Sequence, residues 1–436
     1  MVNRLSPLLA NIISPEQGAF LSGRSIFDNI SMTQEMIHSI NKPAYGGNVV
    51  LKIDMAKAFD SVDRSFLLQV LKAFGFLDFF CMLIRQCIMN PWFSVVMNGV
   101  SKGFFKGGRG LRQGDPISPY LFILVEDIFS RMINNQIHMG KIIPFHHPRG
   151  SPIISHLHYA DDMVSFCNGG KASLKAITDV LKIYEKWSGS LHLGVGLSFV
   201  SLVLRKEVFL LSIWEFLLSQ ARLLSSGARL TLIKHVLQSI LVHSLSILRT
   251  PKAVIEKIYR IISTFFWGVK DGKPKKKWRS WVDICKLVSE GGLGLRNLQD
   301  RTSSLHMKLA WNLLQGTSLW SKFFRAKYIG DRHISMVDHK KGSLFWKMIL
   351  NSIPLEQANS KWKVREGNVL FWHDHWADDA PLCDNILISD MPNLKLEDSK
   401  TGLGWNMDLF TQLVGHHKAE DLILQLGRIK NALSIS

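Results

Sequence analysis

Two predicted β-strands of this chain end or turn on aspartates, and this pattern restricts the fold more than any other feature. Residues 48–54 (NVVLKID) form an apolar run, typical of a buried strand, that ends at Asp54. Residues 153–167 (IISHLHYADDMVSFC) are predicted to form two short strands that are joined at Asp161 and Asp162. The three acids are therefore expected at the ends of strands, where a sheet can present carboxylates to a ligand.

Helices and a second hairpin are predicted around these strands. A helix follows Asp54, with Ser61 or Asp63 as its N-cap. Asn98-Gly99 separates two β-rich runs within residues 92–106, which indicates a hairpin with a two-residue turn. Helical spacing of apolar residues is found over residues 77–89, 118–136 and 174–184. This mixture of hairpins and helices predicts an α+β sheet domain.

Three aspartates placed in this way suit phosphoryl transfer to a nucleotide. That reaction needs two divalent ions, one to activate the attacking 3′-hydroxyl and one to neutralise the triphosphate and leaving group. Mg²⁺ is a hard cation and prefers carboxylate oxygens. An aspartate at a strand end, taken singly, more often only caps a turn. The residue types alone leave both interpretations open.

The positive charge of the chain is concentrated in one block. Of a net charge of +18, residues 201–350 contribute +17 through 26 basic and 9 acidic side chains. This concentration favours a polyanionic partner over a solvated basic surface, because Lys and Arg displace counterions from phosphates. The run KPKKKWR, which contains Lys275, Lys276 and Lys277, fits a nuclear-import patch, a nucleic-acid contact or a solvated loop equally well.

Cysteine usage and hydropathy bear on the compartment. The five cysteines are scattered, which argues against a disulfide framework and predicts an intracellular location, with nucleus and cytoplasm both open. The most apolar stretch, Leu197 to Leu218, contains several charged residues, so no membrane partner is expected. His373, His375 and Cys383 lack the spacing of a closed zinc site.

Three segments resemble the polymerase motifs of reverse transcriptases from non-LTR (LINE-type) retrotransposons, particularly those of plants. KIDMAKAFDSVDRSFL (52–67) resembles motif A, GLRQGDPISPYLF (110–122) motif B, and YADD (159–162) motif C, in the order of the family. Further segments resemble the fingers, the thumb and the C-terminal extension of that family, namely 16–30, 225–240, 265–268, 291–311 and 371–382.

The resemblance implies a right-hand polymerase palm of α+β type with helical neighbours. It assigns partial fingers to residues 1–47, the palm to 48–190, a degenerate junction to 191–222 and the thumb to 223–270. A truncated C-terminal extension would occupy residues 271–436. The implied partners are an RNA template, a DNA primer and deoxynucleoside triphosphates, and the oligomeric state is not indicated.

The resemblance also implies roles for single residues. Asp54 and Asp161 would be the main ligands of two Mg²⁺ ions, and Asp162 would complete the triad. Phe59 would be the steric gate that rejects a ribose 2′-hydroxyl, whereas a lone Phe would more often be a core residue. The remaining implied contacts are Gln113 and Gly114 for the incoming nucleotide, Arg24 more weakly for the triphosphate, and Arg229, Lys234, Lys275, Lys276 and Lys277 for nucleic acid.

The chain departs from the family after Trp187-Ser188-Gly189. The lysine-bearing motif D is not found there, and an apolar run takes the place of an amphipathic helix over residues 197–220. We therefore expect poor local order between residues 188 and 222, and little or no polymerase activity in spite of the intact triad. A catalytically inactive remnant that at most binds nucleic acid, and a group II intron maturase, are the alternatives to an active reverse transcriptase.

Overall fold

The chain forms two compact units. One consists of Met1–Ile247, Glu256–Trp281 and Thr317–Phe323, and the other of Leu248–Ile255, Val282–Gly316 and Phe324–Ser436. The computed structural model describes residues 1–44, 46–55, 57–189, 193–196, 224–239, 252–270, 273–330, 332–362, 364, 369–377, 380–388, 391, 393–401 and 404–433. The expected junction at 191–222 and its poor order lie outside the described residues, apart from 193–196. The finer division into fingers, palm and thumb stays a prediction.

A four-stranded antiparallel sheet is the centre of the first unit, with the strand order β4-β5-β1-β6. Its strands are β1 (Asn48–Met55), β4 (His156–Tyr159), β5 (Asp162–Asn168) and β6 (Leu193–Gly196). Strand β1 is interior because it pairs with β5 on one side and β6 on the other, and the alternate burial of Leu51, Ile53 and Met55 shows that one of its faces covers the core. The strands predicted at both acidic segments are confirmed, and so is the mixed helix-and-sheet class.

The helices within residues 1–189 belong to the first unit. They are α1 (Val2–Ile12), α2 (Ile26–His38), α3 (Ala58–Ser61), α4 (Arg64–Ala73), α5 (Asp78–Met89), α6 (Ser118–His138) and α7 (Lys171–Ser188). The N-cap of α4 is Asp63, whose carboxylate accepts a 2.7 Å hydrogen bond from the Phe66 amide. Of the two caps that the sequence allowed, Asp63 is the one used.

Helix α6 is the centre of the apolar core. It is buried nearly all round and contacts α1, α4 and α7. Five consecutive residues of this helix are fully buried: Leu121, Phe122, Ile123, Leu124 and Val125. Each large apolar side chain removed from water contributes about 1.5–3 kcal/mol. The helix therefore anchors the sheet on which the acids lie.

A hairpin of β2 (Trp92–Met97) and β3 (Val100–Lys106) extends from the first unit, as predicted. Asn98 and Gly99 have φ angles of 49° and 80°, which is the conformation that a two-residue hairpin turn of this kind requires. Almost every side chain of the hairpin is exposed.

Most other described elements are helical. Ser226–Leu232 continues as a π-helical turn at Ile233–Leu237, and longer helices are Lys252–Trp267, Leu298–Gln315, Leu344–Ala358, Met407–Val414 and His416–Leu433. The described part of residues 201–350 is thus mainly helical, as predicted, whereas the direction of its positive face stays a prediction. None of the described helices is both long and apolar enough to cross a membrane.

Candidate active site

Two of the predicted catalytic acids lie directly opposite each other. Asp54, near the end of β1, is the register partner of Asp162, the first residue of β5. Directly opposed residues on antiparallel strands project to the same face of the sheet. Asp161 precedes Asp162 in the tight turn after β4, where Ala160 has a φ of 56°. All three aspartates are exposed, so their carboxylates are open to a ligand.

The donor chemistry of this edge fits Mg²⁺, but the structure does not preform a complete metal cage. Carboxylate oxygens are the protein ligands that Mg²⁺ prefers, and the ion usually keeps several waters beside one or two carboxylates. Among the described residues, no group of three or more His, Cys, Asp and Glu side chains is arranged to hold a metal ion. The structure thus brings Asp54 opposite Asp162 and leaves Asp161 on the adjoining turn.

A lysine that the sequence analysis did not single out lies beside this pair. Lys52 Nζ is 3.5 Å from Oδ1 of Asp162. Lys52 is two residues before Asp54 on β1 and therefore shares its face of the sheet. Because both partners are largely exposed, the ion pair contributes at most about 1 kcal/mol. A divalent ion bound by Asp162 would have to compete with this ammonium group.

A buried polar cluster supports strand β4, which leads into the acidic turn. The Tyr184 hydroxyl donates a 2.9 Å hydrogen bond to Glu126 Oε1, and His158 Nε2 lies 3.6 Å from Glu126 Oε2. The pKa of Glu126 is raised to about 8, mainly by burial; the Tyr184 bond opposes this rise and the charge of Asp161 adds to it. Burial and the neighbouring His156 lower the pKa of His158 to about 3.

At neutral pH this cluster is therefore a neutral carboxylic acid beside a neutral imidazole, and not an ion pair. The sequence analysis missed it, since residues 118–136 were described only as an apolar helix. The signal was present in the sequence: Glu126 and Asp127 interrupt an otherwise apolar run. A buried acid needs a partner or a proton, so such a pair predicts a polar contact inside the core.

Phe59, the proposed steric gate, is held in a fixed position. It belongs to α3 and stacks on Phe122 of α6, with ring centroids 4.4 Å apart and planes inclined by 18°. Its side chain is half-buried, so part of the ring still contacts solvent. A ring supported on one side and open on the other can act as a wall for a ligand.

Motif B is connected to α3 by main-chain contacts. The Leu111 amide donates to the Phe59 carbonyl at 2.8 Å. Gly110 has a φ of +79°, and a Cβ there would lie 2.5 Å from the Asp60 carbonyl oxygen, so only glycine fits. Gln113 Nε2 lies 3.4 Å from Asp60 Oδ1. Gly114 is exposed, with a φ of +85° and open space where a side chain would be.

The Arg24 guanidinium donates hydrogen bonds to main-chain carbonyls within the fold. Arg24 is half-buried and donates to the main-chain carbonyls of Ser14 at 2.5 Å, Gln17 at 2.8 Å, Ile13 at 2.9 Å and Ala10 at 3.2 Å. These bonds satisfy carbonyls at the C-terminal end of α1 and in the loop after it. They occupy both terminal nitrogens, so we do not include Arg24 in the nucleotide site.

The basic candidates fall into two groups. Arg229 is half-buried, donates to the Phe265 carbonyl at 3.3 Å and lies 5.8 Å from that ring, so it joins two helices. The lysines are exposed and available to phosphates: Lys234, Lys275, Lys276 and Lys277. Lys276 also lies over the Trp278 ring, with Nζ 5.1 Å from its centroid.

Comparison with known proteins identifies a sequence family and several relatives that this chain resembles. Residues 1–194 match the sequence family described as Reverse transcriptase (RNA-dependent DNA polymerase). The 149 kDa protein of transposon TX1 from Xenopus laevis is 24% identical over 74% of this chain and 27% of its own length. The Pol polyprotein of the retrotransposable element R2DM from Drosophila melanogaster is 28% identical over 38% of this chain and 15% of its own length. A putative ribonuclease H protein from Arabidopsis thaliana is 33% identical over 38% of this chain and 30% of its own length.

The chain spans less than a third of the length of these relatives. Among solved structures, the telomerase of Candida tropicalis with a fragment of telomeric RNA covers 74% of this chain and 55% of its own, at 15% identity and a TM-score of 0.34. A likeness at that level carries no argument about function. The sequence match is more informative: residues 1–194 match the reverse transcriptase family, and proteins of non-LTR retrotransposons are similar to this chain.

Proposed function

We propose that this protein is the RNA-directed DNA polymerase part of a plant LINE-type retrotransposon. The observation that carries the proposal is the placement of Asp54 directly opposite Asp162, with Asp161 in the adjoining turn. Partial fingers at residues 1–47, a palm at 48–190, a thumb at 223–270 and a C-terminal extension at 271–436 belong to the same proposal.

The carboxylates act together at the palm sheet. Asp54, Asp161 and Asp162 would hold two Mg²⁺ ions, which when bound supply Lewis-acid activation of the primer 3′-hydroxyl and charge neutralisation at the triphosphate. The contribution of the chain is to present hard oxygen donors from two neighbouring strands at an exposed edge.

Nucleotide selection depends on the contacts between motifs A and B. Phe59, supported by Phe122, excludes a ribose 2′-hydroxyl by contact. Gln113 and Gly114 approach the incoming deoxynucleotide, because their segment is exposed and Gly114 has no side chain to hinder a close approach. Lys234 and the lysines of KPKKKWR contact the phosphates of an RNA template paired with a DNA primer, and Arg229 helps to hold their scaffold.

Primer extension tests the proposal. With purified protein, Mg²⁺, deoxynucleotides and an annealed DNA primer on an RNA template, we expect little extension because motif D is missing, and we expect an Asp161→Asn, Asp162→Asn variant to abolish what there is. Both proteins should bind the template–primer equally well. Equal binding with no extension by the natural sequence at any Mg²⁺ concentration would support the alternative, an inactive remnant that binds nucleic acid.

A further inference from the structure

One face of the β2–β3 hairpin carries an aromatic pair that the described part of the chain leaves uncovered. Trp92 and Phe104 stack with ring centroids 4.8 Å apart and planes inclined by 10°. Phe104 is 74% exposed and Trp92 is 55% exposed, so both rings present large apolar surface to water. Exposed patches of this kind usually mark a binding surface.

Cations accompany the aromatic pair. Lys106 is the register partner of Trp92 and therefore lies beside it on the same face. From residue 90 to residue 114 the sequence contains Lys102, Lys106, Arg109 and Arg112 and no acidic residue. Arg109 and Arg112 are occupied by carbonyls and by Asp115, whereas neither lysine has an ion pair within the described residues.

A basic cavity of about 690 Å³ opens at the foot of the hairpin. Its charged lining residues are Arg64, Arg85 and Lys106, and no acid contributes to it. Arg64 donates to the carbonyls of Gly107 at 2.6 Å and Gly110 at 2.9 Å, so it mainly supports the wall. Arg85 and Lys106 have no ion pair in the described part of the chain and are free to bind an anion.

We propose that this face and the cavity together bind single-stranded nucleic acid, with an unpaired base on the Trp92–Phe104 pair and a phosphate between Lys106 and Arg85. Aromatic platforms beside cations bind single strands because every base has a π-face, whereas the bases of a duplex are already stacked. The site is separate from the three carboxylates and goes beyond the proposed polymerase activity.

The positive charge around the aromatic pair favours nucleic acid over a protein as the partner. The rim of a protein–protein interface is polar, but it does not call for charge of a single sign. Here the surroundings are cationic only, over 25 residues of sequence and around the cavity. A polyanion with flat apolar groups satisfies both features, and single-stranded nucleic acid is such a ligand.

Binding is tested in the Asp161→Asn, Asp162→Asn background, so that its outcome is independent of catalysis. A fluorescent single-stranded RNA of about 15 nucleotides is titrated and followed by anisotropy, in line with the site sizes known for such surfaces. Trp92→Ala with Phe104→Ala is expected to weaken binding about 10-fold or more. Arg85→Ala with Lys106→Ala should lower the slope of log affinity against log salt by about 0.7, because the one phosphate contact between them is lost.

Matched controls lie on the same hairpin. Val95 is three residues from Trp92 on β2 and so faces the opposite side, and Lys102 is its register partner. Val95→Ala and Lys102→Ala should change the affinity less than twofold, and Trp92→Phe should retain most of it. Unchanged RNA affinity in the Trp92→Ala, Phe104→Ala variant would overturn the proposal. Loss of self-association in that variant, at constant RNA affinity, would make the face a protein contact instead.

Discussion

The Tyr184 hydroxyl donates a 2.9 Å hydrogen bond to Oε1 of Glu126, a carboxyl that is buried in the first unit. The other oxygen of Glu126 faces His158 Nε2 at 3.6 Å. Because burial raises the pKa of Glu126 to about 8, this carboxyl keeps its proton at neutral pH. The Tyr184 bond thereby joins α7 to α6 without adding a negative charge near Asp161.

The first prediction concerns the pH dependence of stability. The pKa of Glu126 is about 8 in the folded protein, and its ordinary value, which applies to the unfolded chain, is 4.5. At a pH between these values the folded protein therefore holds a proton that the unfolded chain releases. The free energy of unfolding therefore falls as pH rises between these values, by up to about 1.4 kcal/mol per pH unit. Glu126→Gln should remove that slope in urea unfolding measured across this range.

Tyr184→Phe is the control for this experiment. It removes the hydrogen bond and should lower stability by about 1 kcal/mol, yet it keeps the titrating carboxyl and hence the slope. His158 affects stability in a different pH range. Folding lowers its pKa from 6.5 to about 3, so its contribution to the free energy of unfolding is lost as the pH decreases below 6.5. A Glu126→Gln protein with the natural slope above pH 4.5 would contradict the assignment.

The second prediction concerns Lys52 and metal affinity. Lys52→Met removes the ammonium group 3.5 Å from Asp162 Oδ1 and retains most of the aliphatic stem. An exposed ion pair is worth at most about 1 kcal/mol, so the half-saturating Mg²⁺ concentration in primer extension should decrease by up to about 5-fold. Lys57→Met, also on an exposed lysine after β1, is the control and should leave it unchanged. A higher Mg²⁺ requirement in Lys52→Met would show that Lys52 assists the site.

The third prediction concerns selection of the sugar. Phe59→Val shortens the wall that Phe122 supports and should admit ribonucleotides. Loss of a contact of this size changes discrimination by about 10- to 200-fold, measured as the ratio of kcat/KM for deoxyribonucleotides and ribonucleotides. Phe122→Leu should have a smaller effect in the same direction, because it only loosens the ring. An unchanged ratio in Phe59→Val would show that Phe59 is a core residue and not a steric gate.

Local features of this chain could be predicted from sequence because their causes are local. The Asn98-Gly99 turn and the strands at both acidic segments depend on residues a few positions apart. The cap of α4 was predicted only as Ser61 or Asp63, and the structure decides for Asp63. The placement of all three acids at strand ends or turns was predicted in the same way, whereas the register that sets Asp54 opposite Asp162 was seen only in the structure.

Long-range contacts were beyond the sequence. The Glu126–Tyr184 bond joins residues 58 positions apart, and nothing in either segment identifies the other. Arg24 is a second example of a long-range feature. As a basic residue in a family-like segment it was predicted to contact the triphosphate, but the fold places four carbonyls around its guanidinium. Whether an arginine is available to a ligand depends on tertiary structure.

The last prediction concerns the leaving group. The sequence after Gly189 contains no segment that resembles motif D, whose lysine is expected to protonate the departing pyrophosphate. General-acid help contributes about 10²–10⁴-fold to a rate, so extension should be slower by that order than in an enzyme that has the lysine. Without a proton donor, negative charge accumulates on the leaving oxygen, and the rate should depend steeply on leaving-group acidity. Deoxynucleotides with a β,γ-difluoromethylene bridge should therefore react much faster than their β,γ-methylene counterparts in single-turnover extension, and Asp161→Asn, Asp162→Asn should extend with neither. Equal rates for the two analogues would show that another group donates the proton and that the chain has replaced motif D.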